Sequence, residues 1–484
     1  MSVLNSKLFR QQAFINGEWV SSAVGATVEV TNPATGKPIG TVPEMGAAEA
    51  QRALEAAEIS RHAWAARTAK DRASVLRKWY NLIMLNQDFL GELLTLEMGK
   101  PLLEAKGEIA YGASFIEWFS EEAKRLYGET IPGHTPGTRI IVQRQPIGTV
   151  AAITPWNFPN AMITRKAGPA LAAGCSFVVK PANQTPYSAL ALAVLAEEAG
   201  VPAGIFSVIT GNSREIGEVM TKSDIVKKVS FTGSTEVGKL LYRQSASTIK
   251  KLGLELGGNA PFIVFEDANI DAAVEGAIIS KYRNNGQTCV CANRIYVQSS
   301  VYDEFAEKLS KRISTMKVGN GMDEGVIFGP LIDDAAMDKV EEHVKDAEKK
   351  GAKVILGGKP HELGGTFYEP TVLTDVTRDM IVTNEETFGP VAPLFKFETD
   401  DDVIMQANDT EFGLASYFYS KDVSRIFKVA EALEYGMVGV NTGLISTESA
   451  PFGGIKESGL GREGSRHGLE EFTELKYICL NLET

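Results

Sequence analysis

Residues 226–238 read VKKVSFTGSTEVG. The run 226–231 has strand character, stops at Thr232-Gly233-Ser234, and is followed by a helix that begins near Thr235. A strand that turns through glycine into a helix leaves backbone N–H groups free to meet a phosphate. Gly233 and Gly238 bracket four residues in GxxxxG spacing. That spacing is weak alone and gains weight from its strand–turn–helix setting. Working outward, VAAIT (150–154), SFVVK (176–180), IFSVIT (205–210) and LGLEL (252–256) are further strand candidates. An Ala-rich helical segment lies at roughly 160–173. A second helix opens with Thr185 as N-cap and Pro186 at its first position, and Gly200 closes it. Strands alternating with helices predict an α/β fold with a doubly wound parallel sheet. Ligands of such sheets bind beyond the carboxyl ends of the strands. That rule selects Thr154, Pro155, Trp156, Asn157 and Phe158, then Lys180 to Asn183, Thr232 to Ser234, and Glu255 to Gly258.

After Leu256-Gly257-Gly258 the α/β pattern restarts, with helices near 269–284, 301–315 and 422–434 and strand-like VILGG and ASYFYS. Two stretches differ. TIPGHTPGTRIIVQRQP (130–146) reads as a protruding β ribbon, and FTELKYICLNL (472–482) as an isolated strand. Neither has a local partner in sequence, which suggests exchange between subunits. Gly459-Leu460-Gly461-Arg462-Glu463-Gly464 spells GxGxxG. No apolar strand precedes it and no βαβ unit follows, so a tight glycine turn is expected there.

The chain has 484 residues, enough for two or three domains, and a net charge of −12. An acidic surface repels phosphate backbones, so nucleic acid is not an expected partner. No apolar run reaches the length of a membrane span, so no membrane role is expected. MSVLNSKLFRQQAF lacks the apolar core of a signal peptide, which makes the expected location cytoplasmic. Cysteine usage is low (175, 289, 291 and 479), which argues against a disulfide scaffold. Five scattered histidines without CxxC or HExxH give no metal-site spacing, and no metal is expected.

YRNNGQTCVCANR (282–294) then stands out, with thiols near Arg283 and Arg294 in a stretch too polar to be core. A thiol nucleophile needs access, surroundings that favour thiolate, and donors for a developing oxyanion. Cys289 is the candidate. Asn157 could supply one donor and the Cys289 N–H another, and Glu255 could act as general base toward water. The plain alternatives are an inert small hydrophobe and a solvated carboxylate. The polar flank of Cys289 and the apolar setting LGLELGGNAPF of Glu255 weigh against them.

Seven motifs now occur in order: PWNFP with Asn157, KPA with Lys180, FTGST with Gly233, LELGG with Glu255, GQTC with Cys289, EETFGPV with Glu386 and PFGG with Phe452. Together they resemble the NAD(P)-dependent aldehyde dehydrogenase superfamily over essentially the whole chain. The resemblance implies a cofactor domain (1–128 and 147–256, with 456–469 returning to it). It also implies a catalytic domain (257–455), a small oligomerisation ribbon (129–146 and 470–484), and a homo-oligomer, dimer or tetramer. It implies that Cys289 attacks the aldehyde, that Asn157 and the Cys289 N–H hold the oxyanion, and that Glu255 activates the hydrolytic water. Glu386 would bind the nicotinamide ribose with Phe388 beside the ring, Lys180 the adenosine ribose, and Trp156 would line the same groove. Glu463 matches a second acid that relays protons in some members.

Two positions that are often aromatic in the family are arginine here: Arg165, eight after Asn157, and Arg283, six before Cys289. A guanidinium fork suits a carboxylate. With Ser446 as a hydroxyl donor and Phe158 and Phe452 as apolar walls, the set resembles that of succinate-semialdehyde-oxidising members. The expected substrate is succinate semialdehyde. Glutarate semialdehyde is the close rival, since one methylene discriminates by only ~1–3 kcal/mol. Asn183 stands where NAD-preferring relatives often carry Glu, so NADP is expected to be accepted and preferred, with NAD the alternative. Cys291 is read as a small filler or as a redox partner of Cys289. A cysteine hydrolase built on Cys289, Glu255 and Lys180 is the rival of a different class. A CoA-acylating dehydrogenase is disfavoured by Glu255.

Overall fold

The computed structural model describes residues 3–482. The chain builds one eight-stranded sheet and one seven-stranded sheet. The central parallel strands of the first run Phe206–Val208, Ser176–Lys180, Thr149–Ile153, Val226–Thr232, Lys251–Glu255 across the sheet. The chain therefore winds outward in one direction from Thr149–Ile153, then returns and winds in the other. The reversal falls between Thr149–Ile153 and Val226–Thr232, which pair in parallel. At such a reversal the connections leave toward opposite faces and open a crevice above the strand ends. The strand ends there carry Thr154–Phe158 and Thr232–Ser234.

Helices cover both faces of this sheet. Trp79, Phe115, Phe119, Leu171 and Leu192 pack on one side, and Leu54, Ala57, Ile216 and Met220 on the other. Every residue of the helix Ala161–Ala173 is buried, which explains its Ala-rich sequence: small side chains admit the helix Leu102–Glu122 beside it. The expected helix after Thr185 runs Tyr187–Ala199 and ends at Gly200, whose φ is +92°. Its start differs from expectation. Thr185 does not cap it. The buried carboxylate of Glu97, from a separate helix, accepts from Tyr187 N at 2.7 Å and Ser188 N at 2.9 Å. The capping group is ninety residues away in sequence, beyond the reach of a local pattern.

The second sheet runs Lys353–Leu356, Thr371–Thr374, Val391–Phe397, Ala292–Gln298, Ala260–Val264, Ala415–Tyr419, Met437–Val440. It too has an apolar layer on each face. Four residues (256–259) separate the last main strand of the first sheet from the first strand of the second used in chain order. Gly258 lies in this joint because nothing larger fits: a Cβ there would sit 2.3 Å from the carbonyl oxygen of Cys289.

The ribbon corrects one expectation. The strands Thr138–Pro146 and Thr473–Asn481 are not without partners: they pair antiparallel with each other in the same chain, from Thr473↔Pro146 to Asn481↔Thr138. Glu129–Pro132 adds a third strand. The GxGxxG stretch is the expected glycine turn, with φ of +144°, +85° and +73° at Gly459, Gly461 and Gly464. The strand Gly459–Leu460 lies against Lys251–Glu255, which brings Glu463 back to the centre of the molecule.

Candidate active site

Cys289 follows the helix Ile270–Tyr282. The polar loop that carries it is not the exposed stretch its composition implies. Asn284, Asn285, Gln287 and Arg294 are each at most 1% exposed. The cost of their burial is offset by internal hydrogen bonds from their side-chain donors, although the Oδ1 atoms of Asn284 and Asn285 have no partner. Asn285 Nδ2 donates to Gly329 O at 2.9 Å, and Gln287 Nε2 to Asn284 O at 3.2 Å. Arg294, expected near the thiol, instead ties down the carbonyls of Asn259 and Ala407, each at 3.0 Å. Polar composition here records a hydrogen-bonded frame, not solvent.

Cys289 is half-buried on the floor of a cleft of about 370 Å³ shared with Trp156, Gly233, Ser234, Glu386 and Phe388. The surroundings do not favour thiolate as expected. Burial, followed by the nearby Glu386 carboxylate, pushes the thiol up to about 12. Arg165 acts in the opposite sense. Among the described residues no acceptor takes the Cys289 N–H. Asn157 is 4% exposed, and its Nδ2 donates to Gln287 O at 3.0 Å. An amide nitrogen carries two hydrogens, so one is left for a ligand.

Glu255 ends its strand at 4% exposure, and its Oε2 has no partner. Burial, then the carboxylate of Glu463, pushes its pKa well above the usual carboxylate range. Glu463 behaves oppositely: although burial opposes its charge, Lys166 and Arg165 hold it below that range. Arg165 and Lys166 both ion-pair with it from the buried face of the helix Ala161–Ala173. Lys166 also donates to Thr232 Oγ1 at 2.6 Å. Two carboxyls pushed apart in this way suit different tasks, one retaining a proton and one a fixed charge.

The candidate tail-binding residues converge. The Arg165 guanidinium lies 4.0 Å from the Phe452 ring centre, and that of Arg283 5.1 Å from Phe158. Arg165 is 1% exposed, yet its Nη2 has no hydrogen-bond partner. Tyr111, absent from the sequence reading, sits among them. Its hydroxyl is 3.5 Å from Arg165 Nη1, and Arg165, Arg283 and a hydrogen bond with Ser446 all act on it. Tyr111 and Phe115 are spaced like ordinary core aromatics and pack edge-to-face, so the sequence disguised the hydroxyl as packing.

On the opposite side, Lys180 Nζ donates to Asn183 Oδ1 at 2.8 Å and Ser213 Oγ at 2.7 Å. Burial pulls its ammonium down to about 8. Ser213 was also missed, although it lies just past the strand Phe206–Val208, where the strand-end rule would have found it. Glu386 accepts from Gly258 N at 3.2 Å, and burial pushes it up to about 7. Phe388 holds a positive φ of +54° and meets Trp156 edge-on at 5.5 Å. Such backbone strain concentrates at ligand sites. Buried Thr154 Oγ1 has no partner. Gly233 donates its N–H to Glu255 O at 3.1 Å, and Ser234 caps the following helix through Val237 N. A Cβ at Gly238 would meet Leu256, which lines the cleft, at 2.4 Å. Its glycine serves helix–sheet packing. The cleft thus offers an open strand-end floor, an amine with neutral partners and a ribose-sized carboxylate, which fits a nicotinamide dinucleotide. Cys291 is a buried free thiol directed at the carbonyls of Lys281 and Gly286, at 3.4 and 3.3 Å.

A thiol, a hydrogen-bonding amide and a buried carboxyl thus meet at a dinucleotide-type switch point. The Aldehyde dehydrogenase family profile matches residues 19–478, and the chain belongs to that family. Its enzymes use NAD(P). Among curated relatives, glutarate-semialdehyde dehydrogenase of Pseudomonas aeruginosa is 65% identical over 99% of both chains. The NADP-dependent succinate-semialdehyde dehydrogenase of Escherichia coli is 63% identical over 100% of both. The crystal structure of succinate-semialdehyde dehydrogenase from Burkholderia pseudomallei superposes with a TM-score of 0.99 at 60% identity, covering 99% of this chain and all of that one. No helix among the described residues is long and apolar enough to cross a membrane.

Proposed function

We propose that this enzyme oxidises succinate semialdehyde to succinate, turns over glutarate semialdehyde as well, and prefers NADP. One observation carries the substrate reading. Two guanidiniums, Arg165 stacked on Phe452 and Arg283 on Phe158, are gathered beside the nucleophile of a protein with net charge −12. A carboxylate at the far end of a short aldehyde satisfies them, while an uncharged chain leaves at least Arg165 Nη2 unpaired. The relatives named for glutarate and for succinate semialdehyde are of nearly equal identity, at 65% and 63%. That agrees with a grip that reads the charge more strongly than the chain length.

In this mechanism the ionised form of Glu255 takes the Cys289 proton and passes it to solvent. The sulfur bonds to the aldehyde carbon as the carbonyl π bond opens, and Asn157 Nδ2 and the Cys289 N–H receive the oxygen's charge. The bound dinucleotide supplies a hydride acceptor. Glu386 and Phe388 orient that acceptor's end of the cleft. The aldehyde carbon then remains on Cys289 as a thioester. Glu255 takes a proton from water, the hydroxide adds to the thioester carbon, and the C–S bond breaks as Glu255 returns the proton to sulfur, which releases the acid and restores the thiol. For the cofactor, Asn183 lacks the carboxylate that would repel a 2′-phosphate. Lys180 and Ser213 supply donors at the same strand end.

Activity is read as reduced-nicotinamide absorbance with a panel of aldehydes and both cofactors. Arg283→Ala is expected to lower kcat/KM for succinate semialdehyde by about 10- to 100-fold, the value of a charged hydrogen bond. It should leave butanal nearly unchanged. Equal losses on both would remove the charge-recognition reading, and a strong preference for NAD would remove the NADP reading.

A further inference from the structure

The chain leaves the helix Ile270–Tyr282 through two consecutive asparagines in the left-handed region, Asn284 at φ +53° and Asn285 at φ +57°. Both are 1% exposed. Non-glycine residues hold that conformation only where their surroundings over-determine it. For Asn284 the surroundings are specific. Its N–H donates to Glu104 Oε2 at 2.7 Å. Its side-chain Nδ2 donates to Asn157 O at 3.0 Å and to Gln287 O at 3.1 Å. Gln287 O also accepts from Asn157 Nδ2 at 3.0 Å. One amide therefore closes a triangle between the loop that carries Asn157 and the loop that carries Cys289.

The triangle is backed from below. Lys100 Nζ donates to Asn157 O at 3.0 Å and pairs with Glu108 Oε2 at 2.5 Å, with both side chains 1% exposed. Glu108 Oε1 accepts from Asn160 N at 3.0 Å and Ala161 N at 3.2 Å, which fixes the start of the following helix. Asn157 is thus held at its carbonyl by two donors and at its side chain by Gln287 O. With one amide hydrogen spent there, the direction of the other is set.

We infer that Asn284 is a positioning residue for the reaction: it sets the distance and angle between the Asn157 amide and the Cys289 loop, so that the remaining amide hydrogen meets the oxygen of the aldehyde being attacked. The inference rests on the reading of Asn157 as the oxyanion donor. It does not depend on which aldehyde is the substrate.

Two variants separate this role from folding. Asn284→Gly keeps the left-handed backbone and the N–H to Glu104 but deletes the amide. Asn284→Asp keeps the shape and faces two carbonyls with an acceptor. Using the better of the two semialdehydes, Asn284→Gly is expected to lower kcat about 10-fold and Asn284→Asp about 100-fold, since small misplacements of reacting groups have effects of that size. KM for both aldehyde and cofactor should stay within about twofold, because neither ground state touches Asn284. Asn157→Ala is the control, with an expected loss of about 100-fold or more. A fully inactive Asn157→Ala together with an unchanged Asn284→Gly overturns this inference alone. An active Asn157→Ala overturns the oxyanion reading and the inference with it. A fall in Tm with kcat retained per folded molecule shows a structural role only and also overturns it.

Discussion

At the scale of single residues, the site separates two carboxyls by their neighbours. Glu255 is protonated more readily than an ordinary carboxylate because of burial and the charge of Glu463. Its work as a base requires the ionised form, so turnover should rise with pH as Glu255 loses its proton. Glu463→Gln removes the opposing charge and leaves Arg165 and Lys166 to act on Glu255, and both changes favour its ionised form. The acid limb of the kcat–pH profile is expected to move to lower pH in that variant, by about one unit or more if Glu463 contributes even 1.4 kcal/mol. A limb that stays in place assigns the ionisation to another group. The sequence nominated Asn157 and Glu255 from strand ends and Cys289 from its chemistry, and the structure brings Cys289 and Asn157 to one cleft with Glu255 close by. Tyr111 was not nominated, because a hydroxyl on a core-spaced aromatic carries no local mark, and Ser213 is marked only by its place just past a strand end. The acidity of Cys289 was misread for a related reason: burial depends on what packs over the loop.

At the scale of elements, periodicity located the five central strands of the first sheet and the helices that start near 160, 187 and 235, and the switch point followed from their order. The helices Ser213–Lys222 and Asp334–Lys349 and the strands Ala260–Val264, Ala292–Gln298 and Val391–Phe397 emerge only in the structure. What sequence could not show was who caps whom. Glu97 receives two N–H groups of the helix Tyr187–Ala199 across ninety residues. Glu97→Ala leaves both unsatisfied in a buried site and should destabilise the protein by roughly 2–4 kcal/mol, taking ~1–3 for each unmet group with partial relaxation. The Tm should fall clearly, while Asn183 and Lys180 remain positioned by their own strand end. A Tm unchanged within a degree would show that water replaces the carboxylate there. The same limit explains the polar loop 282–294. Its asparagines and Gln287 looked solvated because their acceptors, such as Gly329 O and Asn157 O, lie in other segments.

At the scale of the whole molecule, the ribbon is the least finished surface. Leu475 and Tyr477 stand 62% and 60% exposed on one strand, two residues apart and therefore on one face. Apolar side chains displayed in a row mark a contact surface. Light scattering is expected to return a mass that is a multiple of 52.3 kDa. Charges at both positions (Leu475→Glu with Tyr477→Glu) should lower it. A monomeric parent protein would refute the assignment of that face to a second copy. Pairing of the two ribbon strands within the chain was hidden from sequence because they lie more than three hundred residues apart.

The joint at Gly258 has a consequence for how the enzyme can move. That glycine leaves no room for a side chain against the carbonyl of the nucleophile's own residue. One of the two covalent crossings between the sheets, 256–259, is therefore also part of the floor on which bonds are made, the other being the return to Gly459–Leu460. A bite in which one half swung away would drag sulfur and base apart on every cycle. The cleft of about 370 Å³ beside Phe388 gives a dinucleotide a way in and out that needs no parting of the two sheets.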